Sequence, residues 1–141
     1  MTQKLYTLGY SGWTLDALRK VVVAYSAILA DIRMSPWSRH PDFTKARLQY
    51  CLGQNYLHVQ SLGNINYKGG PITIKDYRAG KAIIVEAFRC APSVILMCGC
   101  SVLTRCHRYD VSGRLSQELS IDLEHLQKIR NGVTHSEPIL L

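Results

Sequence analysis

The feature that most constrains the fold of this chain is the alternation of short apolar runs with segments of helical spacing. The segment Ser93–Cys98 is almost continuously apolar, which is typical of a strand buried on both faces of a sheet. Between such runs, apolar residues recur three or four positions apart, as Leu15, Leu18 and Val22 do after the capping residue Thr14. Helices that alternate with buried strands predict a mainly parallel sheet covered on both faces.

The pattern predicts five strands, four helices and a C-terminal tail. We expect strands over residues 4–8, 27–32, 56–59, 93–98 and 120–126. Helices are expected after residue 14, over 43–53, from 73 or 74 to 90, and around 106–115. Residues 127–141 have no strong period and are expected to form a short helix and a loose tail. We therefore predict one three-layer α/β domain over residues 1–141, with a mostly parallel, five-stranded, Rossmann-like sheet.

Composition places the chain among globular proteins. Apolar residues make up 47% of the 141 residues and charged residues 19%, which excludes a disordered chain. No segment approaches the roughly 20 apolar residues of a membrane helix, and the first residues lack the pattern of a secretion signal. We predict a cytoplasmic protein with no membrane partner, and the sequence predicts no particular oligomeric state.

The net charge is the first indication of function. Seventeen Lys and Arg residues against ten Asp and Glu residues give +7 at neutral pH. This excess favours an anionic partner, either a small molecule such as a phosphate ester or nucleotide, or a nucleic acid. An ordinary basic surface is the alternative, because the charges form no long run of one sign.

Polar side chains follow the predicted strands where parallel strands would end together. In open α/β sheets, ligands bind at the carboxyl ends of the strands. The residues expected at this edge come from all five strands and the loops after them: Tyr10, Ser11, Asp31, Arg33, Ser38, Arg39, His58, Cys98, His107, Arg108 and His125. Their convergence predicts a site at this edge.

Several of these residues also have a purely structural interpretation. Asp31 is expected either to transfer protons or to pair with Arg33. Ser11 can simply begin a helix, and His58 and His125 can be hydrogen-bonded core histidines. His107 and Arg108 open a helix, where the dipole disfavours cations, so they are expected to face a bound anion.

Metal binding is one chemistry that the sequence allows. Cys98, Cys100, Cys106 and His107 are possible zinc ligands within ten residues. Structural zinc sites usually present two pairs of ligands, and the adjacent Cys106 and His107 are expected to point in different directions. We therefore predict no metal site, and the absence of the standard nucleotide-binding glycine motifs predicts no cofactor.

Thiol chemistry is a second possibility. Cys100 and Arg105 are separated by four residues, a spacing that resembles the active loop of rhodanese sulfurtransferases, and Asp31-Ile32-Arg33 resembles the Asp-x-Arg of that family. The intervening residues 101–104 contain no glycine that would let backbone amides wrap around the sulfur.

Acid–base chemistry on a phosphorylated or glycosidic substrate is the third possibility and uses most of the converging residues. Asp31 is the expected acid or base, and His58, His107 or His125 can assist near neutral pH. The expected anion-binding groups are Arg33, Arg39 and Arg108, whose guanidinium groups can hold an anion through two hydrogen bonds.

The motifs together resemble those of one bacterial family. Thr7-Leu8-Gly9-Tyr10-Ser11 resembles a T-x-G-[HY]-S opening, and residues 31–39 resemble D-x-R-x-x-P-x-S-R. The segments 56–59, 62–63, 98, 106–108 and 123–126 follow in the family's order. Over about residues 4–126, the chain is thus similar to the family named domain of unknown function 488.

The resemblance implies an α/β fold with these motifs lining one cleft, and it implies no reaction. The family usually shows Cys-Ala-Glu where this chain has Cys98-Gly99-Cys100, so a thiol replaces an expected carboxylate. Our leading hypothesis is an enzyme acting on a nucleotide, nucleic acid or other phosphate-bearing substrate. A non-catalytic module that binds nucleic acid or a partner protein, and a rhodanese-like thiol enzyme, are the alternatives.

Overall fold

The computed structural model describes residues 2–100, 102–128 and 134–138, and the last segment is described by its backbone. Its six strands are β1 Lys4–Gly9, β2 Ala27–Asp31, β3 Tyr56–His58, β4 Ser93–Cys98, β5 Asp122–Lys128 and β6 Thr134–Pro138. Its four α-helices are α1 Leu15–Ala24, α2 Lys45–Leu52, α3 Tyr77–Cys90 and α4 His107–Leu119. The predicted order of strands and helices is thus confirmed from β1 to β5.

The strands form one sheet in the order β3-β2-β4-β1-β5-β6. The first five are parallel, as predicted, with β4 in the middle between β2 and β1. Every residue of β4 is buried, in agreement with its apolar sequence. Because β2 and β4 are neighbours, their carboxyl ends and the loops that follow them lie side by side.

Helices cover both faces and complete three layers, which confirms the predicted fold class. On one face, α1 and α2 bury Leu18 and Leu48 against the sheet. On the other face, α3 and α4 bury Ile84 and Leu115. Each apolar cluster includes alternate residues of the strands, since successive side chains of a strand point to opposite faces.

Side chains that accept hydrogen bonds from backbone amides fix where three of the helices begin. Thr14 caps α1 as predicted, because its Oγ1 accepts a hydrogen bond from the amide of Ala17 at 3.1 Å. Helix α3 begins later than predicted, after Asp76, because residues before it pair with an earlier loop. The amide of Lys75 donates to the carbonyl of Gly63 at 3.0 Å. The backbone before Asp76 is therefore bonded to an earlier loop and not to its own preceding turn, as it would be in a helix.

The expectation for residues 127–141 was wrong where the structure describes them. Strand β5 continues to Lys128, and β6 pairs with it in antiparallel register, with Leu126 opposite Ser136. The predicted short helix is therefore replaced by a strand that covers the outer edge of β5. Residues 129–133 and 139–141 lie outside the described part of the chain.

Among the described helices, none has the length and apolar character that would be needed to cross a membrane.

Candidate functional site

A cleft of about 520 Å³ opens at the carboxyl ends of β2 and β4. Three segments line it, each following a different element of the sheet. They are residues 33–35 after β2, members of the loop 64–72 before α3, and members of the segment 98–107 between β4 and α4. The sequence prediction placed a site at this edge, and the cleft lies there because the central parallel strands end side by side.

The loop 64–72 is held together by its own side chains. Asn64 Oδ1 accepts hydrogen bonds from the amides of Asn66 and Thr73, both at 3.0 Å. Asn66 Nδ2 in turn donates to the carbonyl of Pro71 at 2.8 Å. These bonds close the loop into a compact wall, and Gly70 has a φ of 106°, a conformation that favours glycine.

Asp31 is fully buried at the end of β2 and forms an ion pair with Arg33. Its Oδ1 accepts from Arg33 Nε at 2.8 Å and from the Arg33 amide at 3.2 Å. Its Oδ2 accepts from Arg33 Nη2 and from the hydroxyl of Tyr56, both at 2.6 Å. Both carboxylate oxygens are therefore occupied by protein donors, and Asp31 holds the Arg33 side chain in one orientation.

Arg33 lines the cleft, although only 7% of it is exposed. Its Nη1 is buried and has no hydrogen-bond partner within the described residues. The guanidinium group also lies 5.3 Å from the ring centre of Tyr10, within the range of a cation–π contact. Burial opposes the charge, but the bonds to Asp31 outweigh it and raise the pKa of Arg33 above its usual value. Arg33 therefore remains a cation at the cleft.

Three cysteines form a compact sulfur cluster beside Arg33. The Sγ atoms of Cys98, Cys100 and Cys106 all lie within 4.8 Å of one another. Cys98 and Cys106 are buried, Cys100 is exposed, and both Cys98 and Cys100 line the cleft. Arg108 lies behind them, and its Nη1 donates to Cys98 Sγ at 3.6 Å and to the Cys100 carbonyl at 3.3 Å.

The pKa values of the three thiols differ widely. Hydrogen bonds from Cys106 and Cys98 lower the pKa of Cys100 to about 3, so Cys100 is the thiolate of the cluster. The same bonds, together with burial, raise the pKa of Cys98 and raise that of Cys106 to about 11. The cluster thus holds one negative charge in a group of three sulfur atoms, next to the guanidinium of Arg108.

Only one of the predicted histidines lines the cleft. His107 Nε2 donates to the carbonyl of Ile32 at 2.8 Å, and burial lowers the pKa of His107. The Cys106 Sγ lies 3.8 Å from His107 Nδ1, so these neighbouring side chains approach each other although they were expected to diverge. His58 Nε2 donates to the carbonyl of Arg33 at 2.8 Å and therefore supports the loop after β2.

His125 lies on β5 and outside the cleft lining. Its Nδ1 is hydrogen-bonded to the hydroxyl of Thr7, and its Nε2 is buried without a partner in the described part of the chain. Burial, and secondarily the positive charge of Arg108, lowers the pKa of His125 to about 4. The ring is therefore neutral at physiological pH and packs near Tyr109, with ring centres 5.9 Å apart.

The other predicted binding residues do not line the cleft. Tyr10 donates its hydroxyl hydrogen to Ser38 Oγ at 2.9 Å and stacks on Phe43 at 4.4 Å between ring centres. Ser11 and Arg39 follow Tyr10 and Ser38 in the sequence, and both are exposed. Of the predicted site residues, Arg33, Cys98 and His107 line the cleft, and Asp31 and Arg108 contact them from behind.

Sequence reasoning missed most of the loop wall. Tyr67 and Lys68 line the cleft, yet nothing about them was singled out, because the loop 64–72 has no periodic pattern. Arg105 also lines it, and its spacing from Cys100 was the one signal that drew attention to it. A glycine-rich segment between a strand end and a helix is the feature that could have indicated this wall.

Comparison with known proteins supports the predicted family. The family described as "Domain of unknown function DUF488" matches residues 18–70, which confirms the resemblance for the motifs within that segment. The matched segment includes Asp31 and Arg33 and ends before the sulfur cluster. No curated protein and no solved structure matches the chain.

Proposed function

We propose that the cleft binds a small phosphate-bearing molecule and that the protein is an enzyme acting on it. The observation that carries the proposal is the charge of the lining. Arg33, Lys68 and Arg105 contribute three cations, the Cys100 thiolate contributes one negative charge, and none of the lining residues that the structure describes is Asp or Glu. A concave surface with an excess of positive charge attracts anions.

Arg33 is the residue best placed to bind the anion. Asp31 and Tyr56 fix its orientation, and one guanidinium nitrogen is left buried without a protein partner. Such a nitrogen loses hydrogen bonds to water without replacing them, so a ligand oxygen that reaches it would be favourable. The ion pair with Asp31 thus supports a binding role for Arg33 and a positioning role for Asp31. A proton-transfer role for Asp31 stays a prediction.

The size and the rim of the cleft favour a nucleotide-sized molecule over a long nucleic acid. A volume of about 520 Å³ falls in the range of small-molecule sites, roughly 300–1,000 Å³. Tyr67 is 54% exposed and Ile72 is 38% exposed at the rim, where they offer an aromatic and an aliphatic surface. Side chains of this kind stack on or pack against a nucleobase, while the cations bind its phosphate.

A non-catalytic binding module is the rival interpretation, since every feature above concerns binding. Turnover separates the two, because a binding module would show affinity for the same ligands and release them unchanged. The reaction, any nucleic acid partner and a cytoplasmic location stay predictions from the sequence.

The test measures ligand binding by isothermal titration calorimetry on the full chain. Inorganic phosphate and the four nucleoside monophosphates serve as probes, at low and at high salt concentration. We expect nucleoside monophosphates to bind more tightly than phosphate, and we expect affinity to fall as salt screens the cations. Product analysis of the same mixtures then detects turnover.

Two variants and one matched control identify the site. Lys68→Ala and Arg105→Ala remove exposed lining cations, and each is expected to weaken binding by roughly two- to tenfold. Arg89→Ala removes an exposed arginine of α3 that does not line the cleft, and it should leave affinity unchanged. Equal affinities in all four proteins would refute the proposal that this cleft binds the anion.

A further inference from the structure

The sulfur cluster has the composition and spacing of a metal site. Zinc binds thiolates at about 2.3 Å, so two sulfurs of a tetrahedral site lie about 3.8 Å apart. The three Sγ atoms of the cluster already lie within 4.8 Å of one another, with no disulfide between them. Small rotations of the three side chains would therefore bring them to bonding distance around a common ion.

The three cysteines come from positions that hold them together in the fold. Cys98 ends the central strand β4, Cys100 follows in the turn, and Cys106 directly precedes α4. The turn passes so close to β1 that a Cβ added at Gly9 would lie 2.0 Å from the carbonyl oxygen of Cys100. The cluster is thus fixed by the sheet, by the packing of the turn and by the start of a helix.

The surroundings of the cluster can compensate the charge of a metal–thiolate group. Three thiolates around a divalent ion carry a net charge of −1, which is costly in a partly buried position without a counter-charge. Arg108 provides it, since its Nη1 contacts Cys98 Sγ at 3.6 Å and the Cys100 carbonyl at 3.3 Å. Partners of this kind orient metal ligands and strengthen binding.

We propose that Cys98, Cys100 and Cys106 bind one zinc ion through their sulfur atoms, with the fourth coordination position facing the cleft. Cys98 and Cys100 both line the cleft, so an ion between the sulfurs lies at its inner end. Three protein ligands and one open position are the arrangement of catalytic zinc sites, whereas structural sites have four protein ligands.

This proposal departs from the expectation, drawn from ligand spacing, that the chain has no metal site. Spacing in the sequence argued against two ligand pairs, but the fold brings three cysteines to one point. The zinc proposal does not depend on the proposed anion binding, because metal content can be measured without any ligand or activity. The open position would nevertheless lie in the same cleft as the cations Arg33 and Arg105.

The test measures metal in the full chain, purified under reducing conditions without a chelator. Inductively coupled plasma mass spectrometry measures the zinc content. Cobalt(II) is then added to metal-free protein, and the absorption spectrum reports whether thiolates bind the metal. We expect one zinc ion per chain, and thiolate-to-cobalt charge-transfer bands with the intense visible bands of tetrahedral coordination.

Cys100→Ser is the decisive variant, because Cys100 is exposed and its replacement should leave folding intact. Its zinc affinity is expected to fall by more than about a hundredfold, since losing even an outer partner of a zinc ligand commonly costs 10–100-fold. Cys106→Ser should have the same effect. The matched control Cys90→Ser changes an exposed cysteine at the end of α3 and should keep full zinc affinity.

Circular dichroism and thermal unfolding show whether each variant is folded before its metal content is interpreted. Wild-type protein that takes up neither zinc nor cobalt under reducing conditions would overturn the proposal. The same holds if Cys100→Ser and Cys90→Ser bind zinc equally, or if two of the three cysteines are found to form a disulfide in protein freshly purified without reductant.

Discussion

Replacing Asp31 by Asn tests whether this residue is primarily the partner of Arg33. The substitution keeps the size of the side chain and removes its negative charge. Arg33, only 7% exposed, would then be a buried cation without its counter-charge. A proton-transfer residue would behave differently, because its loss would affect turnover and leave stability nearly unchanged.

The expected size of the effect follows from the four hydrogen bonds to the Asp31 carboxylate. Breaking a buried ion pair by removing one partner typically costs about 3–5 kcal/mol. In a domain of this length, each kcal/mol lowers the melting temperature by about 3 °C, so we expect a decrease of about 9–15 °C. The affinity for phosphate should fall as well, because Arg33 loses its fixed orientation.

Chemical denaturation followed by circular dichroism measures the free energy of unfolding of each variant. Tyr56→Phe removes one bond to the same carboxylate and should cost about 1.5–3 kcal/mol. Asp42→Asn is the control at an exposed ion pair with Arg47, and it should change stability by less than about 1 kcal/mol. A stability loss below about 1 kcal/mol for Asp31→Asn, together with loss of a measured turnover, would refute this reasoning.

Two further predictions concern the surroundings of the cleft. Between pH 6.5 and pH 4, His125 takes up a proton in the unfolded chain but stays neutral in the folded chain, so the free energy of unfolding should decrease by about 3 kcal/mol as the pH falls. In His125→Gln, a plot of the free energy of unfolding against pH should be flatter over this range. Gly9→Ala should cost about 1–3 kcal/mol in thermal unfolding, because its methyl group would lie 2.0 Å from the Cys100 carbonyl oxygen and 2.5 Å from Arg108 Nη1. Gly113→Ala in α4, where nothing lies within 4 Å of the added carbon, should instead be neutral or stabilising by up to about 1 kcal/mol.

Much of the fold could be predicted from hydrophobic patterns. The strand Ser93–Cys98 was predicted with its observed ends, because a fully buried strand leaves a continuous apolar run. The start of α3 was placed too early, since the pairing of Ile74 with Asn64 depends on contacts that local periodicity does not show. The antiparallel strand β6 was missed for the same reason, because its partner β5 supplies the hydrogen bonds.

The position of the cleft could be predicted from the sequence, whereas most contacts of its individual residues could not. The rule that ligands bind at the carboxyl ends of parallel strands placed Arg33, Cys98 and His107 at one edge of the sheet, and all three line the cleft there. Pairing of Asp31 with Arg33 was one of two interpretations that the sequence left open, and the structure shows that pair. The hydrogen bond from Tyr56 depends on side-chain packing and could not be predicted. Nor could ligand spacing show that three cysteines meet, since that requires the turn after β4 to fold back.

The most direct test of anion binding is a crystal structure of the full chain soaked with tungstate, a heavy analogue of phosphate. Anomalous scattering then locates the ion independently of the rest of the density. We predict a peak in the cleft, with an oxygen of the ion at hydrogen-bond distance from the guanidinium group of Arg33. An empty cleft in a crystal that binds tungstate elsewhere, with Arg33 still held only by Asp31, would contradict the account.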